Sequence, residues 1–463
     1  MKFQDLTFQD LSEVARSVIR QATDAGATDA ECTMSEGSEF SANVRMGELE
    51  TLKEASSRGA GLRVLIGKRM GSSYTSDMTA EGIGQMVRSA IDLAGLTTED
   101  PHAGLPDLEE FGAIQADLRL YSDDVEHLAT EVRIEAARRA EAAALAYDSR
   151  ITNSEGGSFD SNIGGRVFAN SRGFSGSYRS TYCSISAVPV ASLGDSGGTN
   201  AASGMERDYW FTMARGYAGL ENPELVGRTA AARAVRRLGA IKVDTQRVPI
   251  IFEPRVSRSL LGNLFDAVDG RAIYREASFL AGKLGEKIAD ERITLFDDGT
   301  IPGLFGSQPF DDEGVPTRRT PVIERGVLKN YLLNTYTARK LGMKTTGNAS
   351  RGITGNAGIG HGNFFLEPGD KTPDEILRSV KNGFYVTELI GSGVNTVTGD
   401  YSRGAVGMWV RDGELAFPVS EVTIAGTLLE MLNGLAEIGN DLEFRGSVSA
   451  PTIMIGEMTV AGR

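Results

Sequence analysis

The stretch AECTMSEGSEFSANVRMGELETLKEASSRGAGLRVLIGKRMGSSY, residues 30–74, decides how the N-terminal half folds. Segments 30–35, 39–46, 50–57 and 61–67 alternate loosely between apolar and polar side chains, the period of a strand with one buried face. Gly37, Gly47, Gly59 and Gly71 punctuate them, so the stretch reads as an antiparallel meander. Helical periods flank it. Leu11, Val14, Ala15, Val18, Ile19 and Ala22 predict a helix over 11–24, with Asp10 and Glu13 at capping-box spacing and Gly26 as its stop. Ile83, Met86, Val87, Ala90 and Ile91 predict a second. Residues 123–147 contain no Gly or Pro, and their apolar positions step by three or four, which predicts one long helix. Strand-like runs follow at 164–170, 177–190 and 207–215. A helix over 221–238 then carries Pro223 in its first turn and Gly239 at its end.

A boundary near 240–247 divides the chain. Residues 1–240 read as an N-terminal α+β domain with an antiparallel meander and long helices, lacking regular βαβ alternation. Residues 241–463 open on Pro249–Phe252 and a helix over 255–268. They continue as short strand-like pieces, among them 320–335, 383–390, 405–410 and 452–459, broken by glycines. The expectation is α+β overall, with a C-terminal glycine-rich, mostly antiparallel curved sheet. The chain holds 56 glycines in 463 residues, well above the ~7% usual for soluble domains.

Lys plus Arg number 48 against 62 Asp plus Glu, a formal charge of −14. Such a surface repels phosphate backbones, so nucleic-acid binding is not expected. Cys32 and Cys183 form neither a CxxC motif nor a disulfide framework, as suits a reducing compartment. No basic segment followed by an apolar stretch opens the chain and no run of 18 apolar residues occurs, so a soluble cytoplasmic protein is expected, with no membrane partner.

Searches for a catalytic centre return little. The three histidines, His102, His127 and His361, are far apart and form no HExxH or HExxxH pair. Asp297-Asp298 and Asp311-Asp312-Glu313 have the chemistry to hold Mg²⁺ or serve as acid and base, but DDG and DDEG are equally good turns. There is no GxSxG elbow and no Walker A sequence. Gly358, Gly360 and Gly362 around His361 lack the strand-then-helix context of a phosphate cradle. Neither cysteine has a histidine nearby in sequence to raise its thiolate fraction.

Several blocks carry a resemblance. They are FLAGKLGEKI (279–288), LFDDGTIPG (295–303), PFDDEGVPTRRTPVIERGVLKNYLLNTYTARKLGM (309–343), GVNTVTGDYSRGAVGMWVRDGEL (393–415), FPVSEVTIAGTLLEML (417–432) and GEMTVAG (456–462). In order and spacing they resemble the TldD/PmbA family, also called the modulator of DNA gyrase family, closely over 248–463 and more loosely before it. The resemblance implies two branches. In the TldD branch a HExxxH helix and a C-terminal cysteine hold zinc. The PmbA/TldE branch lacks those ligands and pairs with a TldD-like metalloprotease. Counting back from DDGT at 297–300, the motif would run from Leu261 to Asp266: Leu261 replaces the first histidine, Gly262 the glutamate and Asp266 the second histidine. Residues 433–463 contain no cysteine.

The resemblance thus implies a non-catalytic PmbA/TldE-like subunit with no catalytic, cofactor-binding or metal residues of its own. Zinc would sit in the TldD-like partner, and the substrate would be an unfolded, extended or leader-bearing peptide. His361, Asn395, Thr398, Asp400, Tyr401, Ser402 and Arg403 are its candidates for a channel or dimer surface. A structural turn held by Gly399 and Gly404 is the alternative for the GDYSRGA stretch. Two rival functions stay open: a peptide-binding or scaffolding homodimer, and a hydrolase using Asp297, Asp298, Asp311, Asp312 or His361.

Overall fold

The structure is a computed structural model and describes residues 8–194 and 204–463. It opens with α1 (Phe8–Asp24), which starts ahead of the expected boundary, so Asp10 lies inside the first turn instead of capping it. The meander follows as β1 (Asp29–Arg45), β2 (Glu48–Ile66) and β3 (Arg69–Thr75). Four expected segments are two long strands, because Gly37 and Gly59 sit inside the β1–β2 ladder, opposite Ser57 and Ser35. Only Met46-Gly47 turns the chain between them. Both residues have positive φ, 51° and 83°, as a two-residue type I′ hairpin requires.

Next comes α2 (Ala80–Leu96), capped by Thr79 Oγ1 accepting from Gly82 N, and burying Ile83, Met86, Val87 and Ala90. The single helix expected over 123–147 is interrupted, forming α3 (Asp123–Glu126) and α4 (Thr130–Leu145). The break frees the Val125 carbonyl, which accepts a 3.1 Å bond from buried Arg133, whose guanidinium lies over the Phe40 ring. Strands β4 (Ile151–Asn170), β5 (Ser175–Ser192), β6 (Met205–Arg207) and β7 (Trp210–Ala214) lead into α5 (Pro223–Arg236), where Asn222 caps and Pro223 starts the helix. The antiparallel sheet has the order β3-β2-β1-β4-β5-β6, with β7 also on β5.

Side-chain parity explains how this sheet is used. Ala30, Cys32 and Met34 of β1 pack beneath α1 and α2, while Phe40, Ala42 and Val44 pack beneath α4 and α5. All are even-numbered, so one sheet face carries both helix pairs. Odd-numbered Glu31 and Thr33 face the other way, against the C-terminal half. That half approaches β2 so closely that a Cβ on Gly61 would stand 1.7 Å from the Ile353 carbonyl oxygen. Gly61 is glycine for backbone contact and not for a turn.

The C-terminal half begins with β8 (Gln246–Phe252), α6 (Pro254–Val268) and α7 (Gly270–Tyr274). A sheet ordered β11-β10-β9-β14-β19 contains β9 (Leu295–Asp298), β10 (Arg319–Glu324), β11 (Val327–Leu328), β14 (Asn363–Leu366) and β19 (Val448–Ser449). Between them lie α8 (Thr335–Leu341) and a small hairpin of β12 (Ala349–Ser350) and β13 (Gly358–Ile359). The strand expected over 320–335 thus stops at Leu328, and Asn334 caps a helix.

The third sheet uses β15 (Asn382–Ile390), β16 (Asp400–Arg411), β17 (Glu414–Thr427), β18 (Leu435–Ile438) and β20 (Ile453–Ala461), with α9 (Pro373–Arg378) before it and α10 (Leu428–Asn433) within it. Its order is β17-β16-β15-β8-β20-β18, and β17 pairs back with β20 through Thr423–Ala425. The expected curved sheet therefore closes into a small barrel, which removes its edges. Pairing is mostly antiparallel, with β8–β15 and β14–β19 parallel. Among the described residues no helix is long and apolar enough to cross a membrane.

Candidate functional site

Helix α6 lies between barrel strands β8 and β15 and strands β14 and β19 of the neighbouring sheet. Pro254 starts it, and Ser257 Oγ donates to the Glu253 carbonyl at 3.1 Å. The Glu253 carboxylate accepts two bonds from Arg233 of α5, at 2.6 and 3.1 Å, so the entrance of α6 is tied to the N-terminal half. Leu260, Leu261 and Leu264 point into the core with Ile250, Phe252 and Phe384.

The three positions singled out on this helix differ sharply. Leu261 is 3% exposed and is core. Gly262 has open space where a side chain would project. Asp266 carries the one donor of the three, and burial, then neighbouring Asp269, raise its carboxyl above the usual range against the pull of Arg271 and His361. His361, remote in sequence, arrives here: its ring meets Phe265 edge-on at 4.8 Å between centroids. Its Nδ1 lies 2.9 Å from the Gly362 carbonyl.

A catalytic zinc needs three protein donors and an open position for water. Among the described residues no three His, Cys, Asp or Glu side chains gather closely enough to hold a metal. Asp266 and His361 do not complete such a set, so the residues present do not fit zinc.

The carboxylate clusters serve largely as scaffolding. Asp311 Oδ1 accepts from the backbone of Glu313 and Val315, and its Oδ2 from Ala349. Asp298 Oδ1 accepts from the Thr300 amide and hydroxyl. Glu313 accepts from Thr335 N at 2.9 Å, and burial raises both it and Asp311, which also oppose one another. Asp297 differs. Its Oδ2 accepts from Asn348 Nδ2 at 2.7 Å, Oδ1 has no partner, and burial pushes its pKa up to about 7. It borders a cavity of about 100 Å³ that His361 and Asp312 also line. Burial pushes the Cys32 and Cys183 thiols up to about 12, which makes poor nucleophiles of both.

The segment around Asn395 is a tight turn. Asn395 Oδ1 accepts from Val397 N, Gly399 N donates to Asn395 O, and Thr398 Oγ1 donates to Asp400 Oδ2. Gly399 takes a φ of +81° against the Phe279 ring. Asn395, Thr398, Asp400 and Ser402 are exposed and Arg403 is half-buried. Tyr401 is 1% exposed, so its side chain anchors the start of β16 and offers no surface. His102 and His127 stand apart: one packs near Tyr336, and the other ends α3.

Residue patterns gave no sign of the buried ion pairs that join the two halves. Glu31 takes Arg63 Nε at 2.7 Å and also pairs with Arg351, whose backbone N donates to Asp312 at 2.6 Å. Arg166 completes the group at 2.7 Å from Asp312. These partners lie too far apart in the chain for spacing to reveal them.

Comparison with known proteins agrees with this architecture. Three sequence models of PmbA/TldA metallopeptidases match in order: domain 1 at residues 30–94, the central domain at 123–238 and the C-terminal domain at 245–462. Metalloprotease PmbA of Escherichia coli O157:H7 is 39% identical over 434 residues, spanning 94% of this chain and 92% of its own. The chain belongs to the PmbA/TldD metallopeptidase family. A candidate modulator of DNA gyrase from Bacteroides thetaiotaomicron superposes with a TM-score of 0.90 at 28% identity, covering 99% of this chain and all of its own. TldE of Thermococcus kodakarensis shares the fold, with a TM-score of 0.85 at 23% identity over 97% of this chain and 100% of its own. Within this PmbA/TldD member, α6 contains Leu261, Gly262 and Asp266, the three positions that the sequence resemblance aligns with the HExxxH motif.

Proposed function

We propose that this chain is the non-catalytic, PmbA/TldE-type subunit of a cytoplasmic heterodimer. A TldD-like partner supplies the zinc, and the pair processes or degrades unfolded or leader-bearing peptides. The observation that carries the reading is α6: Leu261 belongs to the core, Gly262 has no side chain, and the described residues assemble no metal-binding set. Leucine cannot coordinate zinc, and glycine in place of glutamate removes the general base.

In this reading residues 1–240 and 241–463 are the two domains. His361 and the exposed turn with Asn395, Thr398, Asp400, Ser402 and Arg403 face the channel or the subunit contact. A channel that admits only extended chain spares folded proteins.

The test is zinc content and peptidase activity of the purified chain, alone and mixed with a TldD-like subunit from the same organism. The expected result is no zinc and no cleavage alone, then one-to-one assembly, zinc and cleavage in the mixture. Robust cleavage by the chain alone, unchanged by the partner, overturns the reading.

A further inference from the structure

A cleft of about 400 Å³ separates β2, β3 and the end of α2 from α7 and α8. Cations from both sides reach it. Lys68 follows β2, Arg271 and Arg275 lie in and just after α7, and buried Arg63 forms part of the floor. Lys68 and Arg275 are exposed and neither has a carboxylate partner among the described residues. Lys68 Nζ donates only to the Ala103 carbonyl at 2.6 Å, and Arg275 Nε only to Tyr274 Oη at 3.0 Å. Arg271 holds Asp269 through Nε and Nη2, leaving Nη1 beside Gly358.

The carboxylates nearby are already engaged. Asp100 accepts from Tyr336 Oη at 2.9 Å and from His102 N at 3.0 Å. Arg63 on the floor is met by Glu31 and Glu313, and Glu31 behind it also holds Arg351. Lys68, Arg271, Arg275 and Lys340, which acts on Asp100 and Tyr336, therefore stand against Asp100, Asp269 and Asp266, four cations to three carboxylates, one positive charge in excess. In a chain of net charge −14, such a local excess stands out. One charge suits a monoanion and not dianionic phosphate. Two forked guanidiniums and an ammonium are the donors a carboxylate takes.

We propose that this cleft binds the carboxylate of a peptide, either an acidic side chain or a C-terminus. Peptide as the carrier rests on the function proposed above; recognition of the carboxylate rests on the cleft alone. The cleft lies beside α7, which directly follows α6 in the chain.

The test is isothermal titration calorimetry on the full chain without any partner, so a failed heterodimer reading leaves it untouched. Four probes are used: acetyl-trialanine as free acid, the same peptide as C-terminal amide, acetyl-Ala-Glu-Ala amide, and inorganic phosphate. The acids are expected to bind and the trialanine amide not to. Whichever acid binds more tightly names the source of the carboxylate. Lys68→Gln with Arg275→Gln is expected to weaken binding at least about tenfold, a loss that Arg275→Lys alone does not cause, because it keeps the charge. Thermal melting confirms the fold, and the single substitutions on these exposed side chains carry the test if the double variant unfolds. Equal binding of acid and amide, tighter binding of phosphate, undiminished binding by the glutamine variants, or no binding of any probe overturns the proposal.

Discussion

The His361 ring meets the Phe265 ring edge to face, with centroids 4.8 Å apart and planes at 86°. Phe364 stands 6.0 Å from Phe265 and 6.1 Å from His361, so the three rings form one packed group on the flank of α6. The imidazole reaches the helix where the family's zinc motif would stand, and meets aromatic carbon there. At this flank of α6 the imidazole is held by aromatic packing.

Leu261→Ala tests whether the position that the resemblance aligns with the first histidine is core. The side chain is buried beside Leu260 and Leu264, so its removal is expected to cost about 3 kcal/mol in urea unfolding. Metal content measured on the same samples stays at the parent's level. A variant as stable as the parent would show that the site is not core.

Arg351→Ala leaves Glu31 buried with Arg63 as its remaining partner. Breaking a buried pair from one side costs about 3–5 kcal/mol. Burial alone would raise the Glu31 carboxyl, but Arg351 and Arg63 outweigh it and hold it below its ordinary 4.5. A depressed acid contributes stability above its unfolded pKa and loses it as pH falls through the folded value. Acid unfolding followed by circular dichroism is therefore expected at lower pH in the parent than in the variant.

Asp297 has the opposite sign. Its pKa rises from 3.8 to about 7, so between those values the folded chain holds a proton that the unfolded chain has released. Stability from this group is fully present below the unfolded pKa and is lost as pH rises through the folded one. Asp297→Asn is expected to remove that slope and to gain roughly 2–4 kcal/mol at pH 8 relative to pH 5. Urea unfolding of parent and variant at both values checks it, and equal slopes would refute it.

Tyr401 buries its hydroxyl without a hydrogen-bond partner. Tyr401→Phe removes an unpaired polar group, so stability is expected to hold or to rise by up to about 1 kcal/mol. Peptide cleavage by the mixture with a TldD-like subunit should not change, since this side chain faces no solvent. Loss of cleavage at unchanged melting temperature would assign the hydroxyl a role.

Helix α2 was legible from its apolar spacing, and α5 from Pro223 in its first turn and Gly239 after its end. The long-range pieces were not. Alternation over 30–74 announced strands, but Gly37 and Gly59 read as breaks when they are ladder positions, because a glycine looks the same in a turn and inside a paired strand. At the gap between α3 and α4 the freed Val125 carbonyl takes Arg133, a contact that helical periodicity does not encode.

The sequence by itself determined the family blocks, the α+β class and the absence of HExxxH, because these depend on residue identity and local spacing. Closure of the barrel through β17 and β20, the arrival of His361 beside Phe265, and the Glu31–Arg63–Arg351 group were decided only by tertiary structure. Each joins residues remote in the chain, and a chain's local periods carry no record of which distant partner closes a sheet or neutralises a buried charge.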